Sequence, residues 1–599
     1  MSQALQEARS FEKRHGSAIP DGDRPLFHLT PWIGWMNDPN GFSWYQGQYH
    51  MFYQYHPYDS HWGPMHWGHA VSRDLLHWEF LPCALAPDMP YDKDGCFSGS
   101  AVELSDGRQL LMYTAVRHET MPDGQVREVQ TQSLAFGDGL NYEKYAGNPI
   151  LTEADLPTGG SRFDFRDPKI LKLPDGTFRA LIANNHLGEG GQILQYRSED
   201  AIHWTLVGPL AENHNRIGLM WECPDFFRLD GYDVLLASAQ DMLPKGFEYH
   251  NGNGTFYLLG HCDDDTGVFT EESDHAVDYG IDFYAPQTVL TPDGRRVMIG
   301  WMQNWDTCNL HTRWVPWFGQ MSLPRELSVR NGILYQTPVR ELEELRGEAV
   351  RHEHVLIEDS EIRLSGVQGR TVDLELEIEP EGLLFNRFAI RFAQNELYHT
   401  TVSFRPHESV LKIDRKFSGS RRAIIHQRRA KVRHDSGCLK LRLILDRFSA
   451  EVFVKTVSRC FPPPSAPILA PRASASSPTG PPASMWSVTS WGAERSVSAL
   501  PLQRVSCLFF SGDRFGLRFF YDPGSHRCVS SEQQHPRLVG PQHRRIIPCI
   551  AVATEQKFAA LFFLCKRIRH RFAEEVAYHK KAVFSIVPPV GEEVPVLLQ

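Results

Sequence analysis

Between residues 30 and 340 the apolar positions come in short runs, not at helical spacing. A polar turn containing Gly is followed by an aromatic, aliphatic or β-branched run at "YQGQYHMFYQY" (45–55), "SDGRQLLMYTA" (105–115), "PDGTFRALIAN" (174–184), "LDGYDVLLASA" (229–239) and "PDGRRVMIGWM" (292–302). Each predicts a hairpin turn entering a buried strand. The units recur roughly every 55–70 residues, room for four strands apiece. Between them "SRDLLHW" (72–78) is echoed by "SEDAIHW" (198–204). Five like units without long amphipathic helices predict an all-β fold, a five-bladed β-propeller over residues 27–340. Its innermost strands would surround a central funnel.

After "TPVRELEELRGE" (337–348), helix-like and read as a linker at 341–352, the alternation returns in "VDLELEIE", "FAIRFA" and "LRLILDRFSAEVFV". This pattern predicts an antiparallel β-sandwich over 353–454. At about Lys455 the character changes. "CFPPPSAPILAPRASASSPTGPPAS" is rich in Pro, Ser and Ala, and Lys and Arg then outnumber Asp and Glu about two to one. Residues 455–599 therefore read as an atypical, disordered tail that leaves the sandwich incomplete, and residues 1–26 as an N-terminal extension.

Composition narrows the function classes. The chain has 599 residues, 42% hydrophobic and 22% charged, with a net charge of −10, enough for several packed domains and unsuited to nucleic acid or anionic lipid. No apolar run approaches the roughly 18 residues of a membrane span. The opening "MSQALQEARSFEKRHGSAIPDGDRP" lacks a signal peptide's apolar stretch, so a cytoplasmic location is expected. The 11 cysteines form no CxxC pairs, which favours reduced packing residues over a disulfide frame or zinc site.

Three acidic residues share a setting: Asp38 in "NDPNG", Asp167 in "FRDPK" and Glu222 in "WECPD". Each alone reads as loop punctuation near a proline. Together they occupy three different units, each at the edge of an aromatic or apolar run. Inner strands converging on one axis would bring them together, and mutual repulsion would then raise at least one pKa. Glycoside hydrolysis needs such carboxylates, one as nucleophile or base and one held protonated as acid. Aromatic residues nearby supply flat apolar faces for a sugar.

With "WMNDPNG", "FYQYHP", "HWGPMHWGHAVSRDLLHW", "GCFSGSA", "FRDPK", "MWECPDFF", "DFYAPQT" and "GWM" in this order, the chain resembles glycoside hydrolase family 32, most of all its bacterial β-fructofuranosidases. The resemblance covers roughly residues 27–454 and implies a five-bladed propeller followed by a β-sandwich. It implies a retaining reaction on sucrose, sucrose 6-phosphate or a short fructo-oligosaccharide, with no metal or organic cofactor. Asp38 matches the nucleophile, Glu222 the acid/base and Asp167 the transition-state stabiliser, with Arg166 beside it. In a retaining enzyme the first two should lie about 5–5.5 Å apart. Trp35, Asn37, Gln54, Trp62, Phe97, Ser98, Tyr284 and Trp301 fall where the family lines its sugar pocket. Transfructosylation and a non-catalytic sugar-binding propeller are the alternatives.

Other features weigh less. His61, His66 and His69 fit no zinc spacing and read as pocket wall and packing, and "DKDG" (92–95) and "CDDDTG" (262–267) read as solvated turns. In a regular strand Cys223 would face away from Glu222, as a packing residue. Ser238-Ala239-Gln240 stands where the family has Ser-Pro-Gln, a change expected to touch no catalytic residue. The larger departure is the tail, attributed to a frameshift, with a genuine linker and an unrelated domain as the alternative.

Overall fold

The computed structural model describes residues 1–306, 308, 315–418 and 426–455, together with strands at 485–489, 503–512, 518–521, 582–586 and 594–598. Five antiparallel sheets follow one another from Gly34 to Pro338. Their innermost strands are Gly34–Tyr45, Gly95–Glu103, Gly160–Lys172, Met220–Leu229 and Tyr284–Leu290. Each recurring turn-and-run of the sequence is the first hairpin of a blade, leading from the innermost strand to the second. The echoed heptads are third-to-fourth-strand turns with the same bonds. Asp74 accepts the Leu76 and His77 amides at 3.0 and 2.8 Å, and Asp200 those of Ile202 and His203 at 2.8 Å. The short strand Trp317–Phe318, reached from the fifth blade, pairs parallel with Gly34 and Trp35 of the first and so closes the ring.

Polar bonds between inner strands run right round the axis. Gly99 N–H donates to Asn40 at 3.1 Å, and Ser100 bonds the backbone of Pro168 and Ile170 at 2.7 Å. Lys169 pairs with Asp225 at 3.0 Å, Asp225 accepts from Thr288 N–H at 2.5 Å, and Gln287 accepts from Phe42 N–H at 3.2 Å. Because these groups are buried, leaving any one unpaired would cost about 1–3 kcal/mol.

The helix-like linker is a 3₁₀ helix, Arg340–Leu345, and the first sandwich strand, Ala349–Ile357, already begins inside it. Two sheets of six and five strands follow. Leu374, Leu376, Phe388, Ile390, Leu441 and Leu443 fill the space between them, in a cluster that runs on into the third and fourth blades. Beyond residue 454, Met485–Thr489 and Gln503–Gly512 enter the larger sheet and Arg518–Tyr521 the smaller. Gln503–Gly512 lies between Ala349–Ile357 and Thr371–Pro380, pairing with both. By itself, the segment from His526 onward has, among its described residues, the hairpin Ala582–Ile586 with Val594–Leu598. The disorder expected of the tail otherwise falls outside the described residues.

The N-terminal extension is ordered. Gln3–Gly16 is an α-helix, capped by Ser2 and docked through Leu5, Ala8, Glu12 and Gly16. Its apolar stripe is too narrow to stand out in the sequence, because charged side chains fill the other faces. Among the described residues no helix is long and apolar enough to cross a membrane.

Candidate active site

Every innermost strand is interrupted at the same level by a β-bulge, which adds residues on one side of the ladder and turns side chains toward the axis. In the first blade Asn37 and Asp38 stand together opposite Gln54, in the second Ser98 is the extra residue, and in the third Asp167 and Pro168 oppose Ile182. In the fourth Cys223 and Pro224 oppose Ala237, and in the fifth Ala285 and Pro286 oppose Gly300. Asp167, Cys223 and Ala285 take left-handed backbone, with φ of 63°, 50° and 50°. The proline that follows each has no N–H to leave unpaired where the ladder is broken. The prolines beside the acidic residues therefore mark bulges at one funnel.

The three acidic residues meet there. Ser98 Oγ donates to Asp38 Oδ2 at 2.7 Å, while Oδ1 has no hydrogen-bond partner among the described residues. Cys223 Sγ lies 3.4 Å from Asp38 and 3.5 Å from Asp167, and its backbone N–H donates to Asp167 at 3.0 Å. Arg166 Nε donates to Glu222 Oε1 at 3.2 Å, and Gln240 Nε2 and Tyr284 Oη donate to Oε2 at 2.8 and 2.5 Å.

Burial, reinforced by the charge of Glu222, pushes the Asp38 carboxyl from its ordinary 3.8 up to about 6, although Ser98, Asn37 and Cys223 bond the ionised form. Asp167 is raised by burial and by the charges of Glu222 and Asp38, against the opposing pull of Arg166. The Arg166 guanidinium stays charged because Glu222, Asp164 and Asp167 outweigh its own burial. Tyr284 is held protonated by burial and by Glu222, and Cys223 by burial and the surrounding carboxylates. Both can therefore act as donors.

The aromatic wall assembles as well. Trp35 Nε1 donates to Asn37 Oδ1 at 2.7 Å, and its indole packs on Trp301, Trp305 and Phe318 with centroids 6.0, 6.4 and 5.2 Å apart. Trp62 meets Phe97 edge-on at 5.9 Å, both half-buried. These rings, with Tyr284 and Cys223, form one cluster. Gln54 is buried opposite the first bulge and donates to the Cys96 carbonyl at 3.0 Å. All twelve residues singled out in the sequence thus come to the axis or to the wall around it.

Several readings change. Cys223 faces Asp38 and Asp167, not the opposite side, because the bulge breaks strand alternation at that residue. The stretch Ser238-Ala239-Gln240 does touch the site, through Gln240. Trp305, Gln240 and Cys223 join the site without having been singled out as site residues; Gln240 arrives from the next strand out, paired with Met220. Asp92 of "DKDG" is fully buried on Lys144 and Tyr113, not solvated. His61, His66 and His69 turn to Asp59, the Pro64 carbonyl and His50 respectively. Among the described residues no group of three or more His, Cys, Asp or Glu could hold a metal ion. Cys83, Cys96, Cys223 and Cys262 are buried thiols, whereas Cys438 is disulfide-bonded, against the expectation of reduced cysteines.

Three carboxylates gathered at the axis of a propeller, beside a cluster of indole rings, define a carbohydrate-cleaving enzyme. The model of the glycosyl hydrolases family 32 N-terminal domain matches residues 28–338, and that of the family's C-terminal domain matches 341–476. Raffinose invertase of Escherichia coli is 40% identical over 382 residues, covering 63% of this chain and 75% of its own. Sucrose-6-phosphate hydrolase of Escherichia coli is 37% identical over 460 residues, 74% of this chain and 90% of its own. A mutant family 32 β-fructofuranosidase of Bombyx mori in complex with sucrose superimposes with a TM-score of 0.68 at 31% identity, covering 86% of this chain and 99% of its own. The chain belongs to glycosyl hydrolase family 32.

Proposed function

We propose that this chain is a retaining β-fructofuranosidase that cleaves terminal β-D-fructofuranosides such as sucrose or sucrose 6-phosphate. The convergence of Asp38, Asp167 and Glu222 on one axis carries the reading. Asp38 attacks the anomeric carbon of the fructosyl unit through Oδ1, the oxygen without a hydrogen-bond partner among the described residues. Glu222 gives its proton to the departing glucosyl oxygen, so a covalent fructosyl-enzyme forms as the glycosidic bond breaks. Glu222 then takes a proton from water, which attacks the same carbon and releases Asp38. Arg166, Tyr284 and Gln240 fix both oxygens of Glu222. Asp167, beside the cationic guanidinium of Arg166, binds fructose hydroxyls and stabilises the oxocarbenium-like transition state.

The substrate is a small-molecule sugar, and the half-buried rings of Trp62 and Phe97 offer apolar faces to a hexose, with Trp35 and Trp301 fully buried in the same cluster. Among the described residues the buried thiols of Cys83, Cys96, Cys223 and Cys262 suit a reducing compartment and so a cytoplasmic reaction, whereas the disulfide of Cys438 does not. The test is release of glucose, or of glucose 6-phosphate, together with fructose from sucrose and sucrose 6-phosphate. Asp38→Ala and Glu222→Ala should each lower kcat by about 10²–10⁴ or more. Undiminished hydrolysis in either variant defeats the assignment, and a folded wild type that binds sucrose without cleaving it makes the chain a sugar-binding propeller.

A further inference from the structure

Trp62 sits in the loop between the second and third strands of the first blade, Gln48–His56 and His66–Ser72. It meets Phe97 at the mouth of the aromatic cluster. A loop of this length needs an outside support to hold one indole in place, since a free side chain and backbone carry entropy that binding must remove. The support is a chain of ring contacts leading away from the funnel. Tyr58 meets His56 edge-on at 6.0 Å and His66 edge-on at 5.8 Å, so it bridges the two ends of the loop. His56 Nδ1 bonds the His61 carbonyl at 2.9 Å, directly before Trp62. The ring of His56 also lies so close to Gly63, directly after Trp62, that a Cβ there would meet it at 2.4 Å. Both neighbours of Trp62 are thus fixed through His56.

On its outer side Tyr58 meets Phe11 of the N-terminal helix edge-on at 5.1 Å. That helix is itself anchored. Arg9 Nε donates to the Cys83 carbonyl at 2.8 Å, Glu12 accepts from the Cys83 N–H at 2.7 Å, and Gly16 abuts the Trp32 indole too closely to admit a Cβ. Phe11 therefore presents a ring from a rigid element to Tyr58, which stays 41% exposed.

We propose that the N-terminal helix is part of the sugar-binding apparatus, with Phe11 and Tyr58 acting as positioning residues that hold Trp62 at the funnel mouth. The inference rests on the reading of Trp62 as a wall of the sugar pocket. A ring contact of this kind is worth enough to change binding about three- to tenfold when it is removed. Phe11→Ala and Tyr58→Ala should raise KM for sucrose by that factor with kcat changed less than twofold, and Tyr58→Phe, which keeps the ring, should match the wild type. Trp62→Ala is measured alongside and should raise KM at least as much.

If Trp62→Ala raises KM while Phe11→Ala and Tyr58→Ala leave it unchanged, the positioning role is overturned and Trp62 keeps its own. If Trp62→Ala leaves KM unchanged, the pocket reading of Trp62 fails and the inference with it. A change in thermal stability alone, with both kinetic constants intact, also overturns it. Should Phe11→Ala fail to fold, Tyr58→Ala carries the same test, because it leaves the helix's bonds to Cys83 in place.

Discussion

Asp38 is held between two demands, and each gives a measurable result. As a nucleophile it must be ionised, yet burial raises its carboxyl to about 6. The acid limb of kcat/KM should therefore fall as pH drops through about 6. Ser98→Ala removes a bond that favours the carboxylate, so the same limb should move to higher pH while the alkaline side stays put. Stability runs the other way. Between its ordinary 3.8 and about 6 the folded chain keeps a proton that the unfolded chain releases, so at neutral pH the ionised Asp38 weakens the fold. Asp38→Asn should abolish turnover and raise the melting temperature, by an amount corresponding to about 2–3 kcal/mol. At this scale much was legible, because an acidic residue near a proline can be seen in the sequence. The facing of Cys223 was not, since one added bulge residue reverses the alternation on which its orientation was judged.

At the level of elements, one buried charge cluster ties three parts of the chain together. His28, just before the first blade, bonds Asp446 and Glu451 of the sandwich at 2.8 and 3.1 Å. Glu451 also accepts from Arg325 of the last blade at 2.6 Å, and Arg325 bonds Asp278 at 3.0 Å. Burial opposes charge on His28, but hydrogen bonds to the two carboxylates outweigh it and carry its pKa from 6.5 up to about 9. The latch is therefore complete below about pH 6.5 and is lost as pH rises through about 9. His28→Ala should cost about 3–5 kcal/mol, by leaving the carboxylates buried and under-paired. Thermal unfolding at pH 6 and 9 should show a loss of stability with rising pH in the wild type that is largely absent in the variant. Nothing local marks His28 as this latch: its partners lie more than 400 residues away in the chain.

For the whole molecule, the question is how the sandwich is completed. Gln503–Gly512 runs between Ala349–Ile357 and Thr371–Pro380, so a chain cut after Lys455 would expose two edges in the larger sheet. Such edges invite pairing with other chains. The truncated protein should aggregate at concentrations where the full chain stays monodisperse by light scattering. Equal solubility and equal sucrose hydrolysis would show that the tail adds nothing to the fold. The basic, Pro-rich composition after residue 455 hid these strands, because strand pairing draws on backbone groups that every residue other than proline carries in full.

The sequence by itself determined the blade count, the funnel and the three carboxylates, since a repeated hairpin pattern and a proline beside an acid are local signals. Only the tertiary structure decided which way each side chain at a bulge faces, that Gln3–Gly16 forms a docked helix, and that His28 joins the two domains. Those outcomes depend on groups brought together from distant parts of the chain, and on bulges that suspend the period-2 rule at the positions where the site is built.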